Sequence, residues 1–144
     1  MLRQIAALPI RPSADGSPDV YLVTSRGSGR WIIPKGNPIR GLPPEEVAAR
    51  EALEEAGLIG KVQARPIGSF EFQRIRSVAG ETCLVDVYPM FVERQLKNFD
   101  EMRERTVRLC NLETALAIVA SKQLAVIIER YAAEFSAQRL AAGE

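Results

Sequence analysis

Residues Arg50 to Gly57 read REALEEAG, three glutamates and an arginine within about two turns of a helix. Just upstream, Pro43-Pro44-Glu45-Glu46 has the chemistry of a helix start. Proline suits the first turn, whose N–H groups have no partner inside the helix, and acids there complement the dipole. Gly57 supplies the stop. A helix is therefore expected at about 44–56. On a wheel of about 100° per residue with Glu51 at zero, Glu55 lies at about 40° and Glu54 at about −60°. Ala49, Ala52, Leu53 and Ala56 fall on the opposite arc, the expected packing side, and its alanines would let the helix sit close to a sheet. Acids on one face repel, each i,i+4 pair costing a few tenths of a kcal/mol. Arg50, four residues before Glu54, offsets part of that, but no lysine lies between Lys35 and Lys61. The pattern fits a solvated acidic surface or a site for a hard divalent cation such as Mg²⁺, which prefers carboxylate oxygens.

The rest of the chain narrows the choice. Its 144 residues are enough for one domain with its own core, and a formal net charge of +1 argues against a global field for nucleic acid. Histidine is absent, which excludes histidine-based zinc sites, Ser-His-Asp triads and Cys-His dyads. Cys83 and Cys110 stand apart without a CxxC spacing and read as reduced, buried residues. The opening MLRQIAALPIRP lacks the pattern of a signal peptide, and no run is long enough to span a bilayer. The expectation is a cytoplasmic protein with no membrane and no nucleic-acid partner, a monomer or homodimer.

No repeat or linker divides the chain, so residues 1–144 are expected to form one domain. Strands are expected at Gln4–Ile10 and at Asp19–Ser25, joined by a turn with Asp15-Gly16 at its tip. Trp31-Ile32-Ile33 is a brief strand stopped by Pro34, and residues 35–42 (KGNPIRGL) read as irregular. Further strands are expected within Lys61–Arg74 and at Thr82–Val92, where Pro89 implies a bulge or an edge position. A charged loop covers Asn98–Arg105. Asn111 caps a short helix at Leu112–Ala120, and a last helix from about Ser121 to about Leu140 carries a stripe of Leu124, Ile127, Ile128, Tyr131 and Phe135. Strands around one central helix with a closing helix give an α/β sandwich with a mixed sheet.

Gly36 and the segment Arg50-Glu51-Ala52-Leu53-Glu54-Glu55-Ala56-Gly57-Leu58 together resemble the Nudix box, G-x5-E-x7-R-E-U-x-E-E-x-G-U, where U is a bulky aliphatic residue. The spacing fits without gaps, a far more specific signal than a short glycine motif. The flanks YLVTSRGSGRWIIPKG and PIGSFEF are similar to those of the diphosphoinositol polyphosphate and diadenosine polyphosphate phosphohydrolase subgroup. Two positions depart from the pattern: Leu42 stands where the first box glutamate belongs, and Ala52 where a larger aliphatic is common. The missing acid bears on how the loop is held more than on activity, and Leu42 packing in its place is the expected substitute.

The resemblance implies a Nudix-type α/β/α sandwich and Mg²⁺-dependent hydrolysis, with Mn²⁺ as a substitute, of a phosphoanhydride in a small-molecule nucleotide or polyphosphate. It implies Glu51 and Glu55 as principal metal ligands and Gly36 as a backbone carbonyl ligand. Glu54 is either a third ligand or the base that orients water, roles that the pattern does not separate. Arg50 is expected to orient the carboxylates through a salt bridge. An additional acid from outside the box would come from Glu71, Glu101 or Glu104, each of which also reads as a surface acid. Lys35, Arg26, Arg30, Arg74 and Arg76 are the candidate cations for the substrate's phosphates. Trp31 reads as a core residue more than a base-stacking one. Two alternatives compete with hydrolysis: a non-catalytic nucleotide-binding module, supported only by Leu42, and removal of an RNA 5′-pyrophosphate, opposed by the neutral charge and few aromatics.

Overall fold

The computed structural model describes residues 2–73 and 81–142. Its elements are β1 (Leu2–Pro12), β2 (Pro18–Thr24), β3 (Trp31–Ile32), β4 (Lys35–Gly36), α1 (Pro44–Ala56), β5 (Leu58–Val62), β6 (Gly68–Gln73), β7 (Thr82–Gln95), β8 (Val107–Cys110), α2 (Leu112–Ile118) and α3 (Lys122–Ala141). One mixed sheet runs β3-β2-β1-β7-β5, with β4 on β1, β6 on β7 and β8 on β2. The β1–β7 pairing is parallel, Leu2 opposite Cys83 through Ile10 opposite Phe91, and the other pairings are antiparallel.

The alternation of side chains along strands sorts the core into two layers. On one face Ala6, Leu8, Ile10, Val20, Leu22, Val85 and Val87 pack under Leu124, Ile128 and Phe135 of α3. On the other, Ile5, Ala7, Tyr21, Tyr88 and Met90 pack under Val47, Ala48, Ala52 and Ala56 of α1. The result is the expected α/β/α sandwich. Both cysteines are buried in the α3-side layer and no disulfide joins them. Among the described residues no helix is long and apolar enough to cross a membrane.

Capping fixes the helices as anticipated. The Asn111 side chain accepts from the Thr114 N–H and the Ser121 side chain from the Leu124 N–H. Gly57 ends α1 in the left-handed region, at φ 67°. Three details differ from expectation, the first being β8, a stretch not expected as a strand, which pairs antiparallel with β2 from Val107 opposite Val23 to Cys110 opposite Val20. The stretch read as irregular contains β4, whose Lys35 and Gly36 pair with Ala6 and Ile5. Pro89 is neither at an edge nor in a bulge but well inside β7, at the point where that strand changes partner from β6 to β5, and its carbonyl accepts from the Gln63 N–H. A proline is tolerated there because one ladder stops and the next has not begun.

Candidate active site

Helix α1 is held against the sheet differently from the expectation of an alanine face opposite the acids. The buried residues of the helix are Val47, Ala48, Ala52, Glu55 and Ala56. On the same wheel they run from about −40° to about 140°, an arc that contains both Glu51 and Glu55. Leu53, expected on the packing side, is 40% exposed. The helix thus turns two of its acids inward, onto β4, and the residue that makes this possible is Gly36. A Cβ built there would lie 2.4 Å from the Glu51 Cδ and Oε1 and 2.5 Å from its Oε2. Glycine is needed at position 36 for room.

Four elements converge on these carboxylates. Glu55, only 5% exposed, accepts from the Lys35 backbone N–H through Oε1 at 3.4 Å. Its Oε2 lies 3.6 Å from the Nη2 of Arg105, a side chain 7% exposed. Arg105 donates through Nε to Glu101 Oε1 at 2.8 Å and through Nη1 to the Thr24 carbonyl at 3.0 Å. The loop carrying Glu101 is pinned to the end of α1: the Glu101 N–H donates to the Glu54 carbonyl at 3.0 Å and the Leu96 N–H to the Gly57 carbonyl at 2.7 Å. Gly57 is again required for space as well as conformation, since a Cβ would meet Phe99 Cδ1 at 2.6 Å.

Burial raises the Glu51 carboxyl to about 7, with Glu54 and Glu101 adding to the rise and Arg105 and Lys35 opposing it. Burial raises Glu55 to about 8; Arg105 opposes that rise, and Glu51 and Glu101 add to it. The cluster is therefore short of positive charge even with Arg105 present. Glu51 Oε2 is buried with no hydrogen-bond partner among the described residues. Among the described residues no three acidic, cysteine or histidine groups are already gathered at ligating distance. The donor set nevertheless fits a divalent cation: all oxygen, excess negative, with one buried carboxylate oxygen lacking a donor and a glycine clearing space beside it.

On the opposite face of the sheet lies a cleft of about 810 Å³, lined by Arg26, Arg30, Ile32, Ile33, Lys35, Phe70, Phe72 and Leu124 among others. Lys35 joins it to the acids, for its side chain enters the cleft while Gly36 touches Glu51. The Lys35 ammonium sits 4.0 Å over the Phe72 ring and donates to Gln4 Oε1 at 3.1 Å. Arg26 pairs with Glu104 at 3.3 Å and Glu101 at 3.8 Å, and Arg30 donates to the Ala120 carbonyl at 3.2 Å.

The candidates from the sequence thus separate. Gly36, Glu51, Glu55 and Glu101 come together, and Glu54 is half-buried beside them with its carbonyl holding the loop. Lys35, Arg26 and Arg30 line the cleft. Arg50 is exposed and forms no ion pair within 4.0 Å among the described residues; the guanidinium on the carboxylates is that of Arg105. Arg50 points away because it lies on the wheel outside the buried arc. Glu71 is exposed on β6, on the face opposite Phe70 and Phe72, and Glu104 is exposed and paired with Arg26. Arg74 and Arg76 lie outside the described residues. Trp31 packs against the α3-side core instead of lining the cleft. Arg105 is the residue that sequence reasoning missed. Its i,i+4 spacing from Glu101 is the sole local signal, and such a pair ordinarily sits in solvent.

Known proteins agree with this architecture. The NUDIX domain family profile matches residues 2–131. Nudix hydrolase 12, mitochondrial, of Arabidopsis thaliana is 26% identical over 117 residues, 78% of this chain and 58% of the relative. The chain thus spans little more than half the length of that relative. An Ap4A hydrolase binary complex from C. elegans superposes with a TM-score of 0.73 at 16% identity, covering 95% of this chain and 99% of the other. The NUDIX domain of Shewanella oneidensis NrtR, complexed with ADP ribose, gives 0.65 at 17% identity, covering 97% and 88%. With the family profile spanning β1 to α3 and the box acids gathered on α1 against Gly36, the chain belongs to the NUDIX domain family.

Proposed function

We propose that this protein hydrolyses a phosphoanhydride bond in a nucleoside diphosphate derivative or dinucleoside polyphosphate, with Mg²⁺ as the metal and Mn²⁺ as its substitute. The observation that carries the reading is the Glu51 carboxyl, half-buried among other acids against Gly36 with one buried oxygen that has no donor among the described residues. Glu51 and Glu55 would hold the metal, with Glu54 as a third ligand or the base that orients water, and with the Gly36 carbonyl completing the set. A bound divalent cation supplies charge neutralisation of the phosphate oxygens and a water of lowered pKa.

The chain's own residues do the rest. Arg26, Arg30 and Lys35 meet the negative phosphates at the mouth of the cleft, and Lys35 sets their distance from the acids through its neighbour Gly36. Inside, Ile32, Ile33, Phe70, Phe72 and Leu124 make an apolar floor suited to a nucleobase. That floor favours a nucleotide over a diphosphoinositol polyphosphate, whose densely charged ring needs cations on every side. Among the described residues, Arg26, Arg30 and Lys35 are the basic side chains around that apolar pocket. The similar folds of an Ap4A hydrolase and of a NUDIX domain complexed with ADP ribose are consistent with this choice. Leu42 gives little support to a non-catalytic module, because it packs against the α1-side core and so replaces the missing acid with a packing contact.

The test is a product-resolved screen of dinucleoside polyphosphates, nucleotide sugars, nucleoside triphosphates and diphosphoinositol phosphates with Mg²⁺ and with EDTA. Hydrolysis of a nucleotide that stops in EDTA and falls at least about 100-fold in Glu54→Gln is the expected outcome. No turnover of any compound, or unchanged turnover in Glu54→Gln, refutes it.

A further inference from the structure

We propose that Arg105 is a positioning residue for the acid cluster: its guanidinium fixes Glu55 and Glu101 in the arrangement from which they take a divalent cation. The proposal rests on the reading of the box glutamates as metal ligands and adds to it a residue outside the box.

The geometry assigns each guanidinium nitrogen its own task. Nε donates to Glu101 Oε1 at 2.8 Å, Nη1 donates to the Thr24 carbonyl at 3.0 Å, and Nη2 faces Glu55 Oε2 at 3.6 Å. Thr24 is a firm anchor at the end of β2. Its N–H donates to the Thr106 carbonyl at 3.0 Å, and the Thr106 N–H donates to Thr24 Oγ1 at 2.8 Å. One buried side chain thus ties the sheet, the loop and the helix together at the point where their acids meet. A planar fork with donors on three sides does this; a lysine ammonium, a single centre, does not. The remaining oxygens are then distributed unequally. Glu55 Oε1 is held by the Lys35 N–H, whereas Glu51 Oε2 has no donor among the described residues. Arg105 therefore holds the outer acids and leaves Glu51 open. Arg50, the arginine inside the motif, is exposed and outside this network.

A competing view makes Arg105 only a counter-ion, a positive charge that balances the acids. The two views predict opposite signs. Removing a mere counter-ion relieves repulsion of the incoming metal and tightens its binding. Removing a residue that orients the ligands loosens it, typically by about 10- to 100-fold.

The experiment measures Mn²⁺ affinity of the metal-free protein by electron paramagnetic resonance of free Mn²⁺, with thermal melts to verify folding. The chains compared are wild type, Arg105→Lys, Arg105→Ala and Arg50→Ala. The expected result is a loss of about 10-fold or more in Arg105→Lys, which keeps the charge but not the fork, with a loss at least as large in Arg105→Ala. Both losses should exceed that of Arg50→Ala. Equal or tighter Mn²⁺ binding by either folded Arg105 variant overturns the proposal while leaving the metal reading intact. Failure of both variants to fold assigns Arg105 to structure alone and also overturns it. A wild-type protein that binds no Mn²⁺ overturns the metal reading, and this proposal with it.

Discussion

Gly36→Ala separates the site from the fold more cleanly than any change to an acid. The added Cβ would stand 2.4 Å from the Glu51 carboxyl, about 1 Å inside ordinary van der Waals contact. Something must move, and the cheapest thing is the Glu51 carboxyl, the far end of a side chain with several rotatable bonds. Turning away by about 1 Å removes it from the gap beside β4, and a displacement of that size at a reacting centre costs on the order of 100-fold in rate. Stability should barely change, because no backbone is displaced and a carboxyl that burial had raised to about 7 gains access to water. Gly60→Ala is the contrast: its Cβ would lie 2.0 Å from the Phe91 carbonyl oxygen, at the register shift between Ile59 and Gly60 in the β5–β7 ladder, where the obstacle is backbone and cannot turn aside. Kinetics with the best substrate from the screen, together with thermal melts, read both quantities. Gly36→Ala should lose about two orders of magnitude in kcat and melt within a few degrees of wild type. Gly60→Ala should lose about 3 kcal/mol. A Gly36→Ala protein with wild-type turnover, or one destabilised as much as Gly60→Ala, would refute the claim that glycine is there for the carboxyl.

The pH dependence of metal-free stability is set by Glu51 and Glu55. Both hold protons in the fold above the ordinary value of 4.5, up to about 7 and about 8, so stability is full at the acid end of that window and declines as pH rises through it. For the nearly fully buried Glu55 the difference between 4.5 and about 8 converts to a ceiling of roughly 5 kcal/mol, which relaxation and water entry reduce to about 2. Glu55→Gln should therefore flatten the decline seen in urea unfolding with EDTA between pH 5 and 8; an identical slope in the two proteins contradicts this origin. Leu42→Glu, which restores the usual box acid, should cost about 1 kcal/mol by putting a charge where Leu42 packs on the α1-side core, without raising kcat. A tenfold gain in rate would give the acid a catalytic role here. Phe72→Ala, which removes the ring beneath the Lys35 ammonium, should raise KM for nucleotides about tenfold with kcat little altered. An effect on kcat alone would take the cleft out of substrate binding.

The helices were legible from the sequence because their ends are written locally: a proline and two acids start α1, Gly57 ends it, and Asn111 caps α2. The short β4 and β8 were not, because they are defined by their partners on β1 and β2. The orientation of α1 was not, and the reason is physical. A helix wheel assigns the packing side by apolarity, yet burial of a carboxylate is decided by what the opposing surface offers. Here that surface is β4 with a glycine, a backbone N–H from Lys35 and a guanidinium from residue 105. Those partners lie outside α1, Lys35 and Gly36 just before it and Arg105 far after it, so no periodicity within residues 44–56 contains them. Arg50 and Arg105 make the same point from the other side. Arg50 lies four residues before Glu54, a spacing that suggests a salt bridge, but it stands on the wheel outside the buried arc and is exposed. Arg105 reaches the acids because the Glu54 and Gly57 carbonyls hold its loop against the end of the helix, and the Thr24 carbonyl holds its head. The motif therefore specifies the acids and, through Gly36, the room into which they turn, while the fold outside the motif decides which arginine meets them.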